Sequence, residues 1–547
     1  MTASGAQDSK IPFYPELIMT IFALKVLLKM LQEPFPKQIY NTDTIIALAT
    51  PSGIGAIGVI RLSGPDAIKL VNEVFAGKDL SVQSTHTIHF GTIKDGTHIL
   101  DEVLASLFIA PKSYTKENVV EISTHGSTYI IESIIKLLIR KGARPANPGE
   151  FTLRAFLNGQ LDLSQAEAVA DLIASNSQAS HQVAMQQMRG GFSSELQHLR
   201  DQLIHFAAMI ELELDFGEED VEFANREDLK GLIFQIQRIL HRLISSFEQG
   251  NVMKNGVPVV IAGKPNVGKS TLLNSLLNEE RAIVSEIAGT TRDTVEDELI
   301  IGGINFRFID TAGIRDTVDV IEAKGVERTH EKIGLAKLII YLVDPDQEIS
   351  DIETQIEYLE ELQIPFIIVV NKNDMITAEF EKEVSSIKYQ VSSIKYQVSS
   401  IKYQVSRSES DSQAKNSDLR PQTSKQNEQQ SLSTQPDNAQ QSTGNILLIS
   451  AKHKSGIEEL KSEILRKVNL HSINTDDVLV SNIRHLEALQ KTEASLNRVL
   501  ENIDNPVTSD FLATDIKQAL YYLGEITGQV TTDDLLATIF SKFCIGK

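Results

Sequence analysis

The 547-residue sequence predicts an α/β multidomain fold with three components. These are an N-terminal α/β domain, a helical domain formed from two chain segments, and a phosphate-loop module inserted between those segments. Three observations predict it. First, Gly263-Lys264-Pro265-Asn266-Val267-Gly268-Lys269-Ser270 follows the apolar run 259–262 and opens an apolar-periodic helix through Leu272, Leu273, Leu276 and Leu277. Gly, four residues, Gly-Lys-Ser between a strand and a helix is the phosphate-loop pattern: backbone N–H groups and a helix N-terminus face a phosphate chain. Second, helical periodicity runs on both sides of that module. Third, strand-like and helix-like runs alternate between Asp43 and Arg154. The boundaries read as 1–40 extension, 41–157 α/β domain, 158–254 first helical segment, 255–468 phosphate-loop module with a low-complexity insertion at 376–444, and 469–547 second helical segment.

Charge and composition narrow the function classes. The formal net charge of −21 argues against broad nonspecific binding to polyanions. A nucleic-acid partner would need a local basic patch or a second protein. The single cysteine, Cys544, excludes an intrachain disulfide and suits a reducing cytoplasm. No His/Cys cluster has metal-ligand spacing. Residues 17–31 are apolar but interrupted by Lys25 and Lys29, a poor membrane span.

In the α/β domain, 45–48, 57–62 and 119–122 read as strands, and 67–75 and 129–138 as helices. Asp95-Gly96 marks a hairpin turn. Arg61 and Glu121 stand inside strand runs, either as exposed-face charges or as polar groups facing a ligand pocket. From Asp162 to about 250 the pattern is helical, with Leu196, Leu199, Leu203, Phe206 and Ile210 on one face. After 470, Ile483 to Leu500 and Phe511 to Leu523 predict two more helices. Gly524 and Gly528 are expected to bracket a turn before a helix over 533–540.

The module carries further short motifs, each at a strand end. Asp310-Thr311-Ala312-Gly313 suits water-mediated magnesium binding and a γ-phosphate contact. It follows a hairpin through Gly302-Gly303. Thr291, in Gly289-Thr290-Thr291-Arg292-Asp293, can complete the magnesium shell with Ser270. Asn371-Lys372-Asn373-Asp374 selects the base, since the Asp374 carboxylate accepts guanine's N1–H and exocyclic amine while adenine offers no such pair. Ser450-Ala451-Lys452 supplies a backbone contact for the guanine oxygen. In this order the motifs predict a P-loop (Ras-like) GTPase domain. Lys269 would reach the β- and γ-phosphates. Ile314 stands where many small GTPases carry a water-orienting Gln, so another group must do that work or hydrolysis is very slow.

These motifs resemble one family, the MnmE (TrmE) tRNA modification GTPases, over about 43–547 apart from the insertion. The most specific residues are Asn266, the run Ala288 to Asp293, the run Glu322 to Arg328, and Phe543-Cys544-Ile545-Gly546-Lys547. Pro148 to Phe151 and Leu161 to Ala168 also match. The resemblance implies a GTP site over Asn266, Val267, Gly268, Lys269, Ser270 and Thr271, then Ser285, Glu286, Ile287, Ala288, Gly289, Thr290 and Thr291, with the Asp310, Asn371 and Ser450 motifs. It implies a potassium ion in place of an arginine finger, held by Asn266, Ser285, Ile287 and Thr290, and Glu322 as the catalytic, water-orienting glutamate.

The resemblance also implies an N-terminal folate-binding and dimerisation domain for a 5-formyl- or methylene-tetrahydrofolate one-carbon donor. Arg61, Glu121, Gln160 and Lys547 match that site, Gln160 standing where the family more often has Lys or Arg. The implied partners are a second copy of the chain, an FAD-containing MnmG protein in a heterotetramer, and tRNA, with no membrane. The product would be a carboxymethylaminomethyl-type group on C5 of the wobble uridine (position 34). By itself Cys544 reads as a small buried-type residue. Ser-Ser-Ile-Lys-Tyr-Gln-Val occurs three times over 385–405, and 406–443 is rich in Ser, Gln, Asn and Asp, which reads as an expanded, disordered linker.

Two other readings stand beside this one. A ribosome-assembly GTPase of the Era/Der type would carry a basic RNA-binding appendage or a second GTPase module. A membrane-linked GTPase scaffold would carry a true apolar anchor.

Overall fold

A computed structural model of the chain describes residues 43–215, 226–277, 297–309, 334, 336–376, 446–468, 478–503, 509–541 and 543–546. They fall into two compact units, one of Met1–Ser175, Val183–Gly250 and Val478–Lys547, the other of Asn176–Gln182 and Asn251–Asp477.

The first unit opens with a seven-stranded sheet. Its strands are β1 (Ile45–Leu48), β2 (Ile57–Ser63), β3 (Phe75–Ala76), β4 (Thr87–Asp95), β5 (His98–Phe108), β6 (Val119–His125) and β7 (Arg144–Pro145), in the order β3-β4-β5-β6-β2-β1-β7. All neighbours are antiparallel except β1 and β7. Asp95-Gly96 does turn a hairpin, β4 to β5. Alternation sends Ile60 and Leu62 inward with Val120 and Ile122. Helices α1 (Ala67–Asn72) and α2 (Thr128–Arg140) cover that face with Leu70, Val71, Ile131, Ile134, Leu137 and Leu138, the last four at helical spacing. The register sets Arg61 opposite Glu121 on the other face.

Helix α3 (Glu150–Leu157) leads to α4 (Leu163–Ala174). A capping box starts α4: Asp162 accepts from Gln165 N–H, and the Gln165 side chain reaches back to Asp162 N–H. Then follow α5 (Gln178–Met188), α6 (Gly191–Asp215), α7 (Arg226–Ser245) and α8 (Phe247–Asn255). After the inserted module come α9 (Ile483–Asn502), α10 (Ser509–Thr527) and α11 (Asp533–Phe540). Leu196, Leu199, Leu203, Phe206 and Ile210 of α6 are buried against Leu489 and Leu496 of α9 and Ile516 and Leu523 of α10. One core thus joins residues before and after the module, each fully buried leucine contributing about 1.5–3 kcal/mol.

One expectation fails here. Gly524 does not open a turn; it lies inside α10, and only Gly528 (φ +80°) turns the chain. A Cβ at Gly524 would stand 2.8 Å from Arg200 Nη1. The glycine answers close packing and not a chain reversal.

The second unit is a six-stranded sheet of β8 (Val257–Gly263), β9 (Asp297–Ile301), β10 (Ile304–Phe308), β11 (Leu338–Val343), β12 (Phe366–Val370) and β13 (Ile446–Leu448), ordered β13-β12-β11-β8-β10-β9. Only β9–β10 is antiparallel, the Gly302-Gly303 hairpin. β11 and β12 are near-continuous apolar runs because parallel strands are buried on both faces. Reading the sequence alone passed over β11.

Candidate functional site

The described nucleotide-site motifs, the phosphate loop, Asn371 to Asp374 and Ser450 to Lys452, stand at the C-terminal ends of β8, β12 and β13, where open α/β sheets bind ligands. The phosphate loop leaves β8 and enters a short helix, Lys269–Leu277, whose Leu272, Leu273, Leu276 and Leu277 are buried. Gly268 has φ +97°, and a Cβ there would collide with the Asn371 side-chain amide. Asn266 also takes a left-handed conformation, φ +61°, with its side chain outside the core.

Asn371 joins three segments. Its Nδ2–H donates to Val267 O at 2.9 Å, and its Oδ1 accepts from Ala451 N–H at 3.0 Å. The side chain is buried, so both bonds lie out of water. Phosphate loop, base motif and Ser-Ala-Lys turn are thereby held in one arrangement. Val370 and Leu448 are register partners on β12 and β13, which brings the last two segments side by side.

Lys269 Nζ donates to Gly263 O at 2.8 Å and Lys264 O at 2.9 Å, so it lies folded over its own loop. Burial pushes its pKa down, a cost that an anion beside it would relieve. Ser270 and Thr271 stand in the first turn of the helix. Lys372 is left-handed (φ +61°) and pairs with Asp344, at the end of β11. Asp374 Oδ1 accepts from Ser450 Oγ–H at 2.7 Å. That bond, then its own backbone, His453 and Lys452, hold the Asp374 carboxyl below the usual aspartate range despite some desolvation. It is ionised at neutral pH, so both its oxygens are hydrogen-bond acceptors. Lys452 continues the turn.

Sequence reasoning missed Asp344 and Asp351, the latter paired with Lys264 at 2.7 Å. The signal for Asp344 was there: an acidic residue closing an apolar strand. Glu322, Ser285 to Thr291 and the motif Asp310 to Gly313 lie outside the described residues, as does the insertion beyond residue 376.

A second polar site lies on the N-terminal sheet, on the face that α1 and α2 leave uncovered. Arg61 Nη2 and Glu121 Oε1 are 2.7 Å apart, and both side chains are mostly buried, at 19% and 26% exposure. The Arg61 guanidinium lies 5.8 Å from the ring centres of both Tyr114 and Phe151. Arg61 Nη1 also donates to Gly546 O at 3.4 Å, so Gly546 lies against this sheet. Burial pushes the Tyr114 phenol up, and its hydroxyl is 2.9 Å from Thr152 Oγ1. Gln160 is exposed just after α3, next to Gly159, whose carbonyl accepts from Lys116 Nζ at 2.6 Å. Lys547 lies outside the described residues. Arg61 and Glu121 are thus neither simple surface charges nor unpartnered.

The expectation for Cys544 is corrected: its side chain is exposed. In that tail Phe543 fills the apolar position, against Phe156, Leu163 and Phe540. Among the described residues no group of three or more His, Cys, Asp or Glu is arranged to hold a metal ion, and no helix is long and apolar enough to cross a membrane.

The family description "MnmE helical domain" matches residues 163–544, and "GTP-binding protein TrmE N-terminus" matches 44–160. Relatives named tRNA modification GTPase MnmE include the following three. The Cytophaga hutchinsonii protein is 53% identical over 508 residues, covering 93% of this chain and 98% of its own. The Christiangramia forsetii protein is 52% identical over 516 residues, covering 92% and 99%. The Bacteroides thetaiotaomicron protein is 46% identical over 517 residues, covering 93% and 100%.

Proposed function

The chain belongs to the MnmE family of tRNA modification GTPases, and from that premise we propose that it is a potassium-dependent GTP hydrolase. It acts in the cytoplasm as a homodimer with an FAD-containing MnmG partner. Together they place a carboxymethylaminomethyl-type group on C5 of the wobble uridine of certain tRNAs. The observation that carries the GTP site is the buried Asn371 amide, which ties the phosphate loop to the base-recognising turn.

The protein's own groups divide the work. Phosphate-loop N–H groups and the N-terminus of the following helix face the phosphates. Lys269 leaves the carbonyls of Gly263 and Lys264 for the β- and γ-phosphates. Asp374 accepts guanine's two donors. Glu322 orients the attacking water in place of the glutamine that Ile314 replaces. Ser270 and Thr291 would hold magnesium, and Asn266, Ser285, Ile287 and Thr290 potassium. Both cations supply positive charge against the charge developing on the phosphates. The residues described fit this: Ser270 is in the helix's first turn, and Asn266 is an exposed, left-handed residue of the loop.

The Arg61–Glu121 pair is proposed as part of a tetrahydrofolate site. An arginine flanked by two rings, with a carboxylate beside it, offers both a flat face and hydrogen-bonding groups to a pterin-like ring.

The deciding experiment is GTP turnover of the full chain in potassium and in sodium at equal ionic strength. Strong potassium stimulation, lost in Asn266→Ala and in Glu322→Ala, supports the mechanism. Equal slow turnover in both salts sinks the potassium reading and moves weight to a switch activated by another protein.

A further inference from the structure

The turn from Ser450 to Ser455 is closed at both ends. Ser450 N–H donates to Ser455 O at 3.0 Å, and Ser455 N–H to Ser450 O at 3.2 Å. Within it His453 N–H donates to Ser450 O at 3.2 Å, and Lys454 is left-handed at φ +57°. A turn held in this way presents its side chains in a set direction. Two of them converge on one carboxylate. Ser450 Oγ–H donates to Asp374 Oδ1 at 2.7 Å, and His453 Nε2 stands 3.8 Å from Asp374 Oδ2. One oxygen is therefore anchored by a neutral hydroxyl, and the other is faced by an imidazole, which is charged only when protonated.

Guanine needs both oxygens, one for N1–H and one for the exocyclic amine. An imidazolium at Oδ2 competes for the acceptor that the base must reach. A neutral imidazole with its proton on Nδ1 does not. Asp374 on the facing loop stands 3.8 Å from His453, and Lys452 and Lys454 flank His453 on its own turn. Lys372, two positions before Asp374, is engaged by Asp344.

We propose that His453 is a positioning residue for the guanine base: neutral, it flanks Asp374 and leaves Oδ2 to the base; protonated, it draws Oδ2 away and weakens guanine-nucleotide binding. The inference rests on Asp374 being the base-recognising carboxylate. The effect is modest because both side chains are partly exposed, 58% for His453 and 41% for Asp374, and such pairs shift an equilibrium by at most about fivefold.

The test is the affinity of the full chain for a fluorescent GDP analogue between about pH 5.8 and about pH 7.8. Affinity in the unsubstituted protein is expected to fall about two- to fivefold from the upper to the lower pH, beyond what His453→Gln shows. The phosphate's own titration is common to both proteins and cancels in the comparison. His453→Lys, a permanent cation, is expected to bind more weakly than His453→Gln across the whole range. If His453→Gln keeps the full pH profile, or His453→Lys binds as His453→Gln does, the inference is overturned. Asp374→Asn separates the two layers: its amide should favour xanthine over guanine nucleotides. If it still prefers guanine, the base-site reading fails, and the inference fails with it.

Discussion

Glu167 and Arg484 lie 317 residues apart in sequence and meet as an ion pair, Arg484 Nη2 to Glu167 Oε2 at 2.9 Å. One stands in the first half of α4, before the inserted module; the other stands in the first turn of α9, after it. Arg484 Nη1 also donates to Glu525 O at 2.7 Å and Nη2 to Ile526 O at 3.2 Å, which satisfies carbonyls at the end of α10. His485 Nε2 lies 2.7 Å from the same Glu167 oxygen, and its ring packs 5.2 Å from Phe192. Four helices from two chain segments meet at this point.

The pair should be costly to break and sensitive to acid. Burial pushes the Glu167 carboxyl up, but His485 and Arg484 outweigh it and hold the pKa at about 2. A depressed carboxylate contributes stability that is present above its unfolded value of about 4.3 and is lost as pH falls toward the folded value. Glu167→Ala should cost about 3 kcal/mol, because Arg484 and His485 remain buried without their anion. Its acid-unfolding curve should also lose some of the decline below about pH 4. Urea melts of both proteins at neutral pH and at low pH measure this. An unchanged midpoint at neutral pH would contradict it.

Gly268→Ala should abolish tight nucleotide binding. The new Cβ meets the Asn371 amide, and φ +97° strains any side chain. Strain of about 1–3 kcal/mol, placed on the loop that holds the phosphates, lowers affinity on the order of 100-fold. Titration with a fluorescent GTP analogue checks it, with Asn274→Ala, on an exposed position of the same helix, expected to bind normally.

Asn371→Ala should weaken both stability and GTP affinity. The Ala451 N–H and the Val267 carbonyl would be left without this partner inside the protein, at about 1–3 kcal/mol each. Thermal melts with and without GTP separate the two losses. If only binding falls, the side chain acts on the nucleotide and not as a brace.

Removing residues 385–443 should leave GTP turnover largely intact. The strands on either side, β12 ending at Val370 and β13 beginning at Ile446, are neighbours in one sheet. Long loops add little closure entropy when lengthened and return little when shortened. A variant that melts like the parent but has lost turnover would refute this.

The chemistry-bearing motifs and their order were legible in the residues because their physics is short-range. A phosphate loop depends on local backbone, so Gly263 to Ser270 announces itself within a single turn and the start of a helix. Capping is equally local, and Asp162-Leu163-Ser164-Gln165 starts α4 with its own side chains. The apolar periods of α6, α9 and α10 were legible because each helix has one face that must leave water. Which partners the distant polar groups find was settled only by folding. Arg61 against Glu121 depends on strand register, and Glu167 against Arg484 on two segments folding into one core. Gly524 looked like a breaker because glycine usually is one, and only the arrival of Arg200 shows why a small residue stands there. Cys544 looked buried because small apolar residues usually are, and only the docking of Phe543 leaves it outside. Local propensity is written in neighbouring residues. Pairing across hundreds of residues exists only once the chain has chosen its layers.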